Sequence, residues 1–97
     1  MTFRSPKLLR SAHGQSCANC EANNGTTVAA HANSVAHGKG IGIKCPDFLA
    51  ADLCDVCHAL VDGRLGKLTK EEKWELWIKA YLKTVKRWFE SGTVVVK

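Results

Sequence analysis

The chain has 97 residues, of which 14 are Lys or Arg and nine are Asp or Glu, giving a formal charge of +5. This length suits a single small domain, and no stretch approaches the roughly 18 consecutive apolar residues of a membrane span. The five cysteines would suit a secreted protein, but the first fifteen residues contain no apolar run typical of a signal peptide. We therefore expect a soluble, cytoplasmic protein with no membrane partner, whose positive charge favours polyanions such as nucleic acid.

The N-terminal third of the chain predicts an arm, a cysteine turn and a short strand. Residues 1–16 are polar and basic and contain Pro6 and Gly14, so we expect an arm with one short turn of helix at "KLLRSA". The next segment, "CANCEANNGTTVAAH", combines a C-x-x-C turn, the turn signal "NNG" and a run that favours a short strand ending at His31.

The middle of the chain predicts a long loop followed by a helix. Residues 33–46 are rich in glycine and poor in large apolar side chains, which is loop composition. In "DFLAADLCDVCHALVDG", Asp47 could cap a turn, and we expect a helix from near Cys54 to a glycine stop at Gly63.

The clearest predicted element is a C-terminal helix from about Lys70 to Ser91. Thr69 and Glu72 match a capping box, and Gly92 supplies a C-terminal stop. Apolar residues at helical spacing predict one wide apolar face, formed by Trp74, Ile78, Tyr81, Leu82, Val85, Trp88 and Phe89. For its tryptophans we favour core packing over base stacking. The tail "TVVVK" could form a short strand.

Four cysteines have the spacing of a structural zinc site. They form two C-x-x-C pairs, Cys17 with Cys20 and Cys54 with Cys57, separated by 33 residues. Two such turns supply the four thiolates that zinc prefers in a tetrahedron, and the alternative is one redox-active and one incidental pair. Cys45 is left over, and we favour a buried apolar thiol over a substitute zinc ligand.

His58 and Asp62 form a second constellation directly after the second cysteine pair. In a helix they stand at i and i+4, on one face and one turn apart. An imidazole and a carboxylate at this spacing are a half-site for a divalent metal with open positions, which phosphodiester hydrolysis requires. The other histidines, His13, His31 and His37, are candidates to complete such a site.

This order of motifs resembles the HNH or ββα-metal endonucleases in their treble-clef version, and more narrowly the small prophage-encoded nucleases of the YbcO type. Three parts carry the resemblance: the isolated His31 after a short strand, the G-x-G-x-K-x-P-D segment at Gly40–Asp47, and the run "CDVCHALVDGR". The similarity extends over about residues 17–64, and more loosely over the C-terminal helix. It implies an α+β fold with a small zinc-stabilised ββα-metal core and a long C-terminal amphipathic helix.

The resemblance also implies roles for individual residues. His31 would be the general base, and Asp47 would stand near the family's middle Asn, which orients the base by tying down the loop backbone. His58 and Asp62, with His37 as a further candidate, would bind a catalytic Mg²⁺, Mn²⁺ or other divalent ion. Ala30 departs from the family, which commonly has a metal ligand immediately before the base.

We therefore expect a metal-dependent endonuclease that hydrolyses double-stranded or branched DNA in phage or prophage DNA metabolism or recombination, inside the bacterial host cell. The alternative, which Ala30 favours, is a zinc-stabilised, non-catalytic DNA-binding module on the same fold.

The expected organisation is one domain spanning residues 1–97. It would comprise a basic arm (1–16), a zinc-bound core (17–64), the helix (69–92) and a tail (93–97). The basic residues expected to contact nucleic acid are Arg4, Lys7, Arg10, Lys44, Arg64, Lys79, Lys83, Lys86 and Arg87. A helix of about 33 Å could outreach so small a core, so a homodimer through this helix is a further expectation.

Overall fold

The computed structural model describes residues 3–32 and 45–96, which contain three helices and two strands. In chain order these are α1 (Pro6–Arg10), β1 (Val28–His31), β2 (Ala50–Leu53), α2 (Asp55–Asp62) and α3 (Lys70–Glu90). The predicted α+β class is confirmed. Two residues predicted to act in the site, His37 and Lys44, lie outside the described ranges.

β1 and β2 pair as an antiparallel two-stranded sheet, with Val28 opposite Leu53 and His31 opposite Ala50. All four residues of β2 are buried, and α3 packs against this strand. A strand buried on both faces lacks the apolar–polar alternation that reveals a half-buried strand. For this reason the pattern in "LAADL" does not predict β2, although the resemblance implies a hairpin that carries the histidine.

α2 follows β2 after a single residue, and its predicted bounds are confirmed. Cys54 is the N-cap, and Gly63 ends the helix at φ +85°, a left-handed conformation that glycine adopts without strain. Cys57 and Val61 are buried on the core side, whereas His58 is half-buried. The helix therefore begins inside the cysteine cluster and presents His58 beside it.

α3 begins at the predicted capping box. The Thr69 hydroxyl accepts a hydrogen bond from the Glu72 amide at 3.1 Å, and the Glu72 carboxylate accepts one from the Thr69 amide at 2.8 Å. The helix ends at Glu90, and Ser91 is its C-cap. Both ends agree with the sequence prediction.

The apolar face predicted for α3 is correct in part and displaced about the helix axis. Trp88 is buried, and Ile78 and Tyr81 pack against the core, as predicted. The other residues that α3 buries are Trp77, Ala80 and Thr84. Three members of the predicted face are exposed, namely Trp74, Leu82 and Phe89. Thr84 can occupy the core because its hydroxyl accepts a hydrogen bond from the Asp52 amide and donates one to the Ala80 carbonyl. The small side chains of Ala80 and Thr84 let the helix lie close to β2.

At its two ends the chain agrees with one prediction and departs from another, since the short turn of helix expected over residues 7–12 is present as α1. At the N-terminus, the Ser5 hydroxyl caps α1 by accepting from the Leu8 amide, and Leu8 is buried. At the C-terminus, residues 93–96 form no strand, so that prediction is wrong. The Val94 amide instead donates to the Trp88 carbonyl at 3.0 Å, closing the end of α3. None of the helices in the described ranges combines the length and apolarity of a membrane span.

Candidate active site and metal centre

The four predicted zinc ligands converge in one cluster. The Sγ atoms of Cys17, Cys20, Cys54 and Cys57 all lie within 4.8 Å of one another. Across the two turns, the Sγ atoms of Cys20 and Cys54 are 3.7 Å apart. Two sulfurs on a tetrahedral zinc with bonds of about 2.3 Å would be about 3.8 Å apart. The cluster thus has the composition and size of a structural zinc site, linking the turn before β1 to the start of α2.

Hydrogen bonds to the sulfurs also fit thiolate ligands. The amides of Asn19 and Cys20 donate to the Cys17 sulfur, and the Asn19 side chain reaches across to the Cys57 sulfur at 3.3 Å. Burial raises the pKa of Cys17, but these backbone hydrogen bonds outweigh it and bring the value to about 7. Burial raises the pKa of Cys57 to about 12, and neighbouring thiols contribute. Full ionisation of the cluster therefore requires a cation, and zinc binding would release the remaining protons.

Cys45 is separate from this cluster. It is buried at 8% exposure within the hydrophobic core and is absent from the group of thiols that could share a metal. The preferred sequence interpretation, a buried apolar thiol, is confirmed.

His31 and Asp47 lie in direct contact at the end of the sheet where β1 ends and β2 begins. His31 is the last residue of β1, and its Nε2 is 3.0 Å from Asp47 Oδ1. The His31 side chain is 24% exposed, whereas that of Asp47 is 3% exposed. The structure thus brings the predicted base and its predicted orienting residue together, but the carboxylate contacts the imidazole itself rather than only loop backbone.

Asp47 is held from several sides. Its Oδ2 accepts a hydrogen bond from the Ser5 amide at 2.6 Å, and its Oδ1 accepts one from Arg4 Nη1 at 2.8 Å in addition to the His31 contact. The hydrogen bonds from His31, Ser5 and Arg4 lower the pKa of Asp47 to about 2, against the opposing effect of burial. The carboxylate is therefore ionised at neutral pH and can only accept. Consequently the proton of a neutral His31 ring belongs on Nε2, which leaves Nδ1 with a free lone pair.

His58 and Asp62 stand one turn apart on α2, as predicted. Burial lowers the pKa of His58, while the charge of Asp62 acts in the opposite direction. Asp62 is already engaged: Oδ2 accepts from Arg64 Nε at 2.7 Å and Oδ1 from the Arg64 amide at 3.2 Å. Burial raises the pKa of Asp62, but these bonds outweigh it and hold the value below its usual range.

No preformed second metal cage is found among residues 3–32 and 45–96. Apart from the cysteines, no three His, Cys, Asp or Glu side chains in those ranges come close enough to share an ion. Ala30, at the position where the resembling nucleases have a ligand, is buried at 1% exposure, and its carbonyl accepts from Trp77 Nε1 at 2.9 Å. This alanine belongs to the core that fastens β1 to α3.

Three of the arginines predicted to bind nucleic acid are paired with carboxylates. Arg4 contacts Asp47, Arg64 contacts Asp62, and Arg87 contacts Asp52. Beside these arginines, the predicted set includes five exposed basic side chains, Lys7, Arg10, Lys79, Lys83 and Lys86, the last within 4.0 Å of Glu90.

Arg87 joins distant parts of the chain. One of its nitrogens donates to the Ser16 carbonyl and to the Asp52 carboxylate, and the other donates to the Ser16 hydroxyl. Burial raises the pKa of Asp52 even though Arg87 favours its ionised form. This arginine stabilises the fold at the edge of the cysteine turn.

Two residues that donate hydrogen bonds to the cysteine cluster or to Asp47 are absent from the sequence predictions. Asn19 lies inside the first C-x-x-C turn, where an amide side chain next to two thiols is a signal that sequence reading could have used. Ser5 contributes its backbone amide to Asp47, and no sequence pattern signals that contact because the two residues are 42 positions apart.

Comparisons with known proteins identify a matching family and a solved structure of similar fold. The sequence matches the family model described as "Putative nuclease YbcO" over residues 6–93, a range that includes both cysteine pairs, His31, Asp47 and His58. The fold is similar to a solved structure from Escherichia coli str. K-12 substr. MG1655 described as a "putative bacteriophage protein". That similarity has a TM-score of 0.69 and 24% sequence identity, and covers 88% of this chain and 99% of the other. No curated protein matches the sequence.

Proposed function

The chain belongs to the YbcO nuclease family, and from this premise we propose that it is a metal-dependent endonuclease that hydrolyses DNA by an HNH-type, single-metal mechanism. Its setting would be phage or prophage DNA metabolism. The observation that carries the proposal is the His31–Asp47 contact, because it gives one imidazole a fixed tautomer at a partly exposed position.

In this mechanism His31 is the general base. The ionised Asp47 accepts a hydrogen bond from the Nε2–H group of His31, so Nδ1 of His31 takes the proton of a water molecule as that water attacks phosphorus. Transfer of the proton makes the ring an imidazolium, and the neighbouring carboxylate stabilises that charge. An imidazole is suited to this role because its ordinary pKa lies near neutral pH.

Two metal ions of different roles are part of the proposal. The four cysteines would hold a structural Zn²⁺. His58, with Asp62 as its neighbour one turn along, would hold a catalytic Mg²⁺, Mn²⁺ or other divalent ion, which supplies stabilisation of the charge on the leaving oxygen. Because Arg64 occupies both oxygens of Asp62, His58 is the principal protein ligand, and water and the scissile phosphate would complete the coordination. His37 remains a proposed additional ligand.

The exposed basic residues would bind the phosphate backbone. Lys79, Lys83 and Lys86 lie on α3 at spacings of four and three residues, about one helical turn each, and Lys7 and Arg10 lie on α1. Their contribution would be independent of base sequence and would weaken with salt.

Cleavage of supercoiled plasmid and of branched DNA with Mg²⁺ or Mn²⁺ tests the proposal. Removing a general base costs about 10²- to 10⁴-fold in rate, so His31→Ala should lose cleavage while retaining DNA binding. His13→Ala is the matched control, because His13 is an exposed histidine outside this site. Equal cleavage by the His31→Ala and His13→Ala proteins would contradict the assignment of the base.

A non-catalytic DNA-binding module is the second candidate, and the buried Ala30 is the observation that favours it. Wild-type protein that binds DNA, yet never cuts it with any divalent ion offered, would support that function. A salt titration of binding distinguishes either function from a role without nucleic acid, because both require affinity that falls as salt rises.

A further inference from the structure

The N-terminal segment Phe3–Ser5 reaches the site from far along the chain. Within three consecutive residues it makes three hydrogen bonds to Asp47. The Asp47 amide donates to the Phe3 carbonyl at 3.0 Å, the Ser5 amide donates to Oδ2 at 2.6 Å, and Arg4 Nη1 donates to Oδ1 at 2.8 Å. The Phe3 ring also packs against Phe48, with 5.7 Å between centroids.

Arg4 has a special place in this arrangement because Nη1 carries two N–H groups. One donates to Asp47 Oδ1, and the other donates to the Cys45 carbonyl at 3.1 Å. The guanidinium therefore fixes the carboxylate relative to the backbone two residues before it. The oxygen that it contacts is the same one that accepts from His31 Nε2.

The position of Arg4 is itself determined by α1. Ser5 is the N-cap of that helix, its hydroxyl accepts from the Leu8 amide, and Leu8 is buried. Arg4 is thus held immediately before a capped and anchored helix, rather than on a free arm.

We propose that Arg4 is a positioning residue of the nuclease site, acting through Asp47 to hold His31 in the tautomer and orientation that proton abstraction needs. This inference rests on the proposed function. Without the guanidinium, the Ser5 amide still fixes Oδ2, but the link from Oδ1 to the Cys45 carbonyl is lost. The carboxylate can then turn about its Cβ–Cγ bond and break its contact with His31, and a ring without that contact is no longer restricted to one tautomer. A displaced reacting group of this kind costs about 100-fold in rate.

The test compares Arg4→Met with Arg10→Met. Both changes remove one positive charge expected to bind phosphate, so both should weaken DNA binding, but Arg10 is exposed and makes no side-chain hydrogen bond within the described ranges. Arg4→Met should lower kcat for plasmid cleavage by about 10- to 100-fold, with a change in KM no larger than that of Arg10→Met. Arg4→Lys should recover part of kcat, because an ammonium group can still donate to Oδ1. Circular dichroism on each variant checks that the fold is retained.

A second readout does not depend on cleavage. Ring-nitrogen NMR of His31, recorded above the pH at which imidazole titrates, should show the Nε2–H tautomer alone in wild type and Arg10→Met, and a mixture in Arg4→Met. If Arg4→Met matches Arg10→Met in kcat, or retains a single His31 tautomer, the positioning role is refuted. If wild type cuts no DNA, the proposed function fails, and the NMR result alone decides whether Arg4 orders the pair.

Discussion

Trp77→Phe tests how α3 is fastened to the strand that carries His31. Trp77 is 1% exposed, its indole Nε1–H donates to the Ala30 carbonyl at 2.9 Å, and its ring stacks on Tyr81 with 4.8 Å between centroids. Phenylalanine keeps a ring in the core but loses the donor and leaves a void beside the strand.

The expected loss of stability combines two effects. Removing a donor from a buried carbonyl costs about 1–3 kcal/mol, and the smaller ring adds about 1 kcal/mol through the cavity that it leaves. The sum, a destabilisation of about 2–4 kcal/mol, lowers Tm by roughly 10–30 °C in a domain of this size. Thermal unfolding followed by far-UV circular dichroism, at a fixed excess of Zn²⁺, measures this shift.

Trp74→Phe is the control, since it makes the same chemical change one turn earlier on the same helix. Trp74 is 39% exposed, and a substitution there should change stability by no more than about 0.5 kcal/mol. Equal Tm values for the two variants would refute the argument that the Trp77 hydrogen bond and its burial hold α3 on β1.

Further predictions concern the metal, the charges and the exposed face of α3. Zinc chelation at neutral pH should abolish cooperative thermal unfolding, because structural zinc contributes about 10–16 kcal/mol in small domains; a transition that survives chelation would contradict this. Arg87→Met should destabilise the fold by about 3 kcal/mol, because it leaves the buried Asp52 carboxylate unpaired, as urea denaturation would show. Lys83→Gln should leave stability unchanged but reduce the salt slope of DNA binding by about one. If the exposed face of α3 forms a homodimer, Leu82→Lys should yield a monomer. Sedimentation of the wild-type protein as a monomer at high concentration would contradict the dimer prediction.

The helices and the cysteine cluster are the parts that sequence predicts well, because their signals are local. A capping box at Thr69 and a glycine stop at Gly63 act within a few residues, and both are present. Likewise a C-x-x-C turn brings its two thiols together by backbone geometry alone. The fold then has only to bring the two pairs next to each other, and the 3.7 Å distance between the Sγ atoms of Cys20 and Cys54 shows that it does.

The buried face of α3, the partner of Arg87 and the contact between Asp47 and His31 depend on long-range contacts that local sequence patterns do not encode. The buried face of α3 includes Thr84, which a hydropathy pattern assigns to solvent, because its hydroxyl finds partners on β2 and in its own helix. In the same way, the charge of Arg87 suggests a phosphate contact from the sequence alone, whereas in the structure its guanidinium donates to the buried carboxylate of Asp52, 35 positions earlier. Asp47 was predicted by resemblance to serve the base, but its direct bond to the imidazole depends on chain folding across many residues.

The long-range bonds of the two arginines also constrain when the His31–Asp47 pair forms during synthesis. Arg4 meets Asp47 across 43 positions, and Arg87 meets Ser16 across 71. Closing such loops costs entropy before any contact offsets it, so these bonds form late in folding. A nascent chain that has not released α3 from the ribosome already contains His31 and Asp47, but lacks the helix that holds β1. We therefore expect the His31–Asp47 pair to become stable only after α3 has been synthesised.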